Sequence, residues 1–113
     1  MKASLRAGRL VDIKEKKTLA DAVAGGIEPG SVTFPLCRRY VDEILTVSEE
    51  GLTAAMRLIH QVHGKVVEGA GALALAGLIK CRSRFQGRRV VLVASGRNIS
   101  SDRFKSICHK RRF

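Results

Sequence analysis

Apolar residues recur along this chain in two rhythms. Leu52, Ala55, Met56, Ile59 and Val62 fall at helical spacing, with polar residues between them, and predict an amphipathic helix with one buried face. Ser48 stands before it as a cap, and Glu49 and Glu50 fill the first turn, where acids complement the helix dipole. From Val90 to Ala94 the rhythm changes to an unbroken apolar run rich in β-branched residues. Such a run suits a strand buried on both faces, as in a parallel sheet.

The remaining segments fit between these two. Thr18–Ala24 reads as a short helix stopped by Gly25-Gly26, and Thr33 as the cap of a second one reaching Tyr40, with Pro35 in the tolerated first turn. Asp42–Val47 reads as a strand and Val66-Val67 as a very short one. Gly69–Ile79 is a helix of Ala, Gly and Leu that needs burial on most sides, and Ser101 or Asp102 opens a last helix through about Cys108. The order α, β, α, β, α, β, α predicts an α/β fold: a partial three-layer parallel sheet with flanking helices.

At 113 residues the chain is one small domain or part of a larger one. No apolar stretch approaches the roughly 20 residues needed to cross a bilayer, and the first residues lack the apolar segment of a secretory signal. The three cysteines, Cys37, Cys81 and Cys108, are odd in number and widely spaced, which argues against structural zinc and a disulfide framework. Together these features point to a reducing cytoplasm. Charge is unevenly placed. Met1–Ile79 carries ten Lys/Arg and nine Asp/Glu, whereas Lys80–Phe113 carries eleven Lys/Arg against Asp102 alone. A basic tail spans about 103–113, ending in Lys110, Arg111 and Arg112. It can attract polyanions or serve only as solvated surface.

Four features carry candidate chemistry. Gly69-Ala70-Gly71-Ala72-Leu73-Ala74 matches the G-x-G-x-x-A dinucleotide fingerprint, but the strand before it is barely two residues and no acid follows at ribose-binding distance. Close packing explains those glycines better. His60 and His63 share a helix face, yet no third metal ligand is suggested, so no metal is expected. Glu68 is either a helix-start acid favoured by the dipole or a working carboxylate at a strand's carboxyl end. Ser95-Gly96-Arg97-Asn98 follows the Val90–Ala94 run where open α/β sheets place ligands, and it also reads as a capped strand-to-helix turn.

In combination these blocks resemble the threonine/serine dehydratases of pyridoxal-phosphate fold type II, relatives of serine racemase and the tryptophan synthase β chain. The resemblance rests on Ala3-Ser4-Leu5-Arg6-Ala7-Gly8, then Thr18-Leu19-Ala20-Asp21 leading to Gly30-Ser31-Val32-Thr33-Phe34. It continues through Val41-Asp42-Glu43-Ile44, Val47-Ser48-Glu49-Glu50 and Ala55-Met56. It closes on Val67-Glu68-Gly69-Ala70-Gly71-Ala72 and Leu92-Val93-Ala94-Ser95-Gly96-Arg97-Asn98, covering about Ala3 to Ile107. Each motif is weak alone; their shared order and spacing are fairly specific.

The resemblance implies pyridoxal 5'-phosphate as cofactor and α,β-elimination from a hydroxy amino acid such as threonine or serine. A lysine holds the cofactor, its ring accepts electrons once the α-proton leaves, and the products are a 2-oxo acid and ammonia. By position, Ser95 would hydrogen-bond the pyridine nitrogen, Gly96 would let the backbone close on the ring, and Asn98 would brace the turn. Glu68 would lie beside the cofactor, and Asp21-Ala22 would pass along its other edge. Two residues depart from the family: Ala22 stands where Gly is usual, and Arg97 replaces the second Gly of Ser-Gly-Gly-Asn. If position 97 needs positive φ, Arg is strained there; otherwise it points to solvent.

The family's Schiff-base lysine segment, of the type Ser-x-Lys-x-Arg-Gly, and its four-glycine phosphate loop have no counterpart in the 113 residues. The chain is therefore expected to be the carboxyl-terminal portion of such a catalytic domain, truncated and without a catalytic residue of its own. It should be inactive alone and expose apolar surface that favours self-association. Two other readings stay open: a non-catalytic partner of an intact paralogue, and a basic anion- or nucleic-acid-binding protein. The scarcity of aromatic stacking residues argues against nucleic acid.

Overall fold

The computed structural model describes residues 1–109, without the side chain of His109, and its chain forms two compact units. The first takes Met1–Lys17 and Ala24–Leu45; the second takes Thr18–Val23 and the chain from Thr46 onward. Lys110, Arg111 and Arg112 of the basic tail lie outside the described residues.

The first unit is built on two short helices. α1 (Lys2–Ala7) ends at Gly8, whose left-handed backbone, φ 69°, lets its N–H reach the Leu5 carbonyl. Ser4 is 1% exposed, and its hydroxyl accepts the Val11 N–H at 3.1 Å, fixing where the chain returns. α2 (Thr33–Tyr40) begins one residue earlier than expected: Val32 stands at the cap, with no side-chain cap bond, and Thr33 is already helical. Arg38 donates to the Gly8 carbonyl at 3.5 Å and lies over the Phe34 ring.

The second unit packs α3 (Glu49–His63), α4 (Gly69–Lys80) and α5 (Ser101–His109) around a core of Leu52, Ala55, Met56, Ala72, Phe104 and Ile107. α3 follows the sequence reading closely. The Ser48 hydroxyl accepts the Gly51 N–H at 3.2 Å, and Leu52, Ala55, Met56 and Ile59 are buried. Val62 departs from that face and is exposed, one residue before α3 ends at His63, with Gly64 capping it at φ 62°. α4 is apolar nearly all round, and small residues let it sit close to its neighbours. Two side-chain bonds fasten the unit: Arg57 to the Ile107 carbonyl at 2.7 Å, and Lys80 to the Thr46 carbonyl at 2.6 Å. The Thr18–Ala24 helix is reduced to a 3-10 turn at Asp21–Val23.

The expected parallel sheet is not formed within the described residues, which contain no strand. An extended segment becomes a strand only when another lies about 4.8 Å away to complete its hydrogen-bond ladder. Asp42–Val47, Val66-Val67 and Val90–Ala94 carry no such ladder among the described residues. Val90–Ala94 is accordingly not buried on both faces; Val91 and Val93 are 87% and 72% exposed.

Candidate functional site

The amino end of α4 organises the candidate residues. Gly69 and Gly71 open that helix two positions apart, and each admits a different backbone segment. A Cβ on Gly69 would run into the Leu19 carbonyl, and one on Gly71 would overlap the carbonyl oxygen of Ser95. No side chain larger than hydrogen fits either place without moving backbone. The G-x-G spacing is thus a device for close packing, and the dinucleotide fingerprint has no structural counterpart: there is no strand before the helix.

Ser95-Gly96 is docked by its backbone. The Glu68 N–H donates to the Gly96 carbonyl at 3.2 Å, joining the residue before α4 to the turn after Ala94. Gly96 holds φ 84°, the left-handed region that favours glycine, and the Glu68 carboxylate lies against its Cα where a Cβ would otherwise stand. Arg97 is free of that constraint, since no non-glycine residue adopts positive φ among the described residues. It is exposed, and the φ question raised by the sequence falls on Gly96 instead. Asn98 sits within the turn closed by the Ile99 N–H on the Arg97 carbonyl at 2.8 Å, and is itself exposed.

Glu68, Ser95 and Gly96 are therefore neighbours, with Glu68 half-buried and the other two exposed. Glu68 occupies the cap position of α4 without bonding its free N–H groups through the side chain, so its charge stands at the positive end of the helix. Ala22 arrives from the other side. Its segment is held where the Leu19 N–H meets the Glu49 carboxylate at 2.9 Å and where Asp21 pairs with Arg103 at 3.4 Å. Ala20 is buried beneath it, while Ala22 is exposed. Leu19, Glu49 and Arg103 entered the sequence reading only as part of a motif block, as a helix-start acid and as part of the basic tail, none of them as a residue of this site. Only the G-x-G spacing hinted that two segments converge here.

His60 and His63 part company. His60 makes an edge-to-face contact with Phe104, ring centroids 5.1 Å apart, and His63 lines an apolar groove with Leu58, Val62, Leu75, Leu92 and Val93. That groove, about 380 Å³, runs beside the unpaired Val90–Ala94 segment. No helix among the described residues is long and apolar enough to cross a membrane.

Comparison with known proteins identifies the family. Residues 1–96 match the family model described as pyridoxal-phosphate dependent enzyme. The chain is 38% identical over 110 residues to the L-threonine ammonia-lyase of Thermotoga maritima, covering 97% of this chain and 27% of that enzyme. It is 36% identical over 104 residues to an L-threo-3-hydroxyaspartate ammonia-lyase from Pseudomonas sp., covering 92% of this chain and 32% of that enzyme. Among solved structures, a threonine deaminase from T.th. superposes with a TM-score of 0.78 at 41% identity, over 88% of this chain and 35% of that one. Serine racemase from Dictyostelium discoideum superposes with a TM-score of 0.74 at 27% identity, over 88% and 31% respectively. The chain thus spans about a third or less of these relatives. From its helices to the docked turn at Ser95, it belongs to the pyridoxal-phosphate dependent enzymes, with threonine dehydratases among its relatives.

Proposed function

We propose that this chain furnishes the ring-nitrogen edge of a pyridoxal-phosphate pocket in an enzyme of the dehydratase type. The substrate would be a hydroxy amino acid such as threonine or serine, and the products a 2-oxo acid and ammonia. The observation that carries this reading is the exposed Ser95-Gly96 turn, held by backbone against α4 beside the Glu68 carboxylate.

The residues on this edge fit the cofactor. The exposed Ser95 offers a hydroxyl for the ring nitrogen, while the space a side chain at Gly96 would need is taken by the Glu68 carboxylate, so Glu68 would border the ring there. When bound, the cofactor supplies an electron sink for the α-carbon of the substrate. A neutral hydroxyl leaves the ring nitrogen largely unprotonated, in contrast to a carboxylate partner. Glu68 fixes the turn by its N–H and places a negative charge beside Gly96. Asn98 would brace the turn, and the segment through Ala22 bounds the opposite side of the α4 terminus.

In this reading Val90–Ala94 pairs with further strands only in the complete fold, and the groove beside it packs there. The same exposed apolar run favours self-association of the isolated chain or pairing with an intact paralogue. The lysine and the glycine loop of the family have no counterpart in these residues, so the chain by itself is expected to be inactive.

The test is 2-oxobutanoate release from L-threonine with pyridoxal phosphate present. The chain is assayed alone and with a polypeptide carrying the lysine and glycine-loop portion of the Thermotoga enzyme. No product from the chain alone and product from the pair is the expected result. Turnover by the chain alone, or a cofactor-binding pair without turnover, would overturn the proposal.

A further inference from the structure

The first unit holds a cavity of about 430 Å³, lined by α1, the latter half of α2 and the segment that follows it. Lys2, Leu5 and Arg6 line it from α1, and spacings of three and four residues set them on one face of that helix. Val41, Asp42 and Ile44 line it from the segment after α2. These cations and this acid thus come from different elements, and no ion pair joins Lys2, Arg6 or Asp42 to any described residue. Two further charged residues of the lining are already engaged. Arg38 donates to the Gly8 carbonyl and lies over the Phe34 ring, and Glu43 has an interaction partner of its own.

We propose that this cavity binds a small zwitterion, with its carboxylate at Lys2 and Arg6, its ammonium at Asp42 and an aliphatic body on Leu5, Val41 and Ile44. Opposite charges that face one cavity without meeting each other are completed by a ligand that carries both, through a charge-assisted hydrogen bond at each end. Arg6 offers a planar fork for a carboxylate, Lys2 adds an ammonium, and Asp42 can only accept. The hydrocarbon between the two ends gains by covering the apolar lining. A simple carboxylate would bring no cation to Asp42, and a simple amine would meet the like charges of Lys2 and Arg6. Joining both ends on one body makes the second contact intramolecular, so the zwitterion outbinds either half. The cavity belongs to the first unit, and Glu68, Ser95 and Gly96 to the second, so it is tested independently of the reading of Ser95.

The experiment titrates the full chain with 6-aminohexanoate, hexanoate and hexylamine, following the Leu5 and Ile44 methyl groups by NMR. Cys37 also lines the cavity, and its rate of alkylation by iodoacetamide supplies a second readout. 6-Aminohexanoate is expected to bind saturably, shift both methyl signals and slow the alkylation of Cys37. Its affinity should exceed that of hexanoate or hexylamine about tenfold. Asp42→Asn and Arg6→Gln should each weaken it about tenfold, while Arg6→Lys retains most of the binding. Asp42→Asn should leave hexanoate binding intact, which a general loss of structure would not do, and circular dichroism establishes that each variant keeps its helices. Equal binding of hexanoate or hexylamine, unchanged affinity in Asp42→Asn or Arg6→Gln, or no saturable binding of 6-aminohexanoate would overturn the proposal.

Discussion

Gly71 lies directly under the carbonyl oxygen of Ser95, so closely that a single added methyl group would collide with backbone. The helix that carries Gly71 and the turn that carries Ser95 are twenty-odd residues apart in the chain, yet neither can shift independently. Gly71→Ala is therefore expected to destabilise the second unit by about 1–3 kcal/mol through overpacking and to push the Ser95 turn off α4. Gly77→Ala, in the same helix but facing nothing within 4 Å, should instead stabilise by roughly 0.5–1 kcal/mol. Urea denaturation of the two variants measures both, and equal effects would refute the packing role of Gly71.

The amino end of α3 offers a second test. Ser48→Ala removes the hydroxyl that accepts the Gly51 N–H and should cost about 1 kcal/mol. Glu50, fully exposed, is held below the usual carboxylate range first by a hydrogen bond from its own backbone N–H and then by Ser48. Its folded pKa is depressed, so its contribution to stability is present above its unfolded pKa and fades as pH falls through the lower folded one. NMR titration of Glu50 in Ser48→Ala should show a smaller depression than in the parent chain.

Met56 is wholly buried in the second unit. Met56→Ala is expected to cost about 2–5 kcal/mol, by lost burial and the cavity left behind. Val91→Thr, at a residue 87% exposed, should leave stability within about 0.5 kcal/mol. Sedimentation should show that the same change reduces self-association. Thermal melts separate these two roles of apolar residues, core and open surface.

Cys108 behaves as a protected thiol. Burial pushes its pKa up, and the nearby Arg57 guanidinium opposes that only in part. With the folded value raised, its contribution to stability is full below the unfolded pKa and is lost as pH rises through the folded one. Alkylation by iodoacetamide should be slower at Cys108 than at a cysteine in an unstructured peptide, since the thiolate is the attacking form.

The elements most legible in the sequence were those whose signals are local. Ser48, two following acids and a 3.6-residue rhythm define α3 without help from the rest of the chain, and Gly69 and Ser101 mark the starts of α4 and α5. The sheet was not recoverable in the same way. Val90–Ala94 has the composition of a buried strand, but pairing is a property of two segments, and no ladder forms among the described residues. At the candidate site, the proximity of Glu68 to Gly96 follows from a backbone bond between residues 28 apart in number, which no local pattern encodes. The G-x-G of α4 was visible from the start, and its partners, Leu19 and Ser95, became identifiable only from the packing.

The most direct measurement compares Ser95 with Ser95→Ala in the chain assembled with the lysine-bearing portion, following 2-oxobutanoate released from L-threonine. If the Ser95 hydroxyl meets the ring nitrogen, kcat should fall at least about tenfold, with KM little changed and cofactor still bound, because a contact to the electron sink acts chiefly in the transition state. An unchanged kcat with cofactor retained would contradict the placement of Ser95 at the ring.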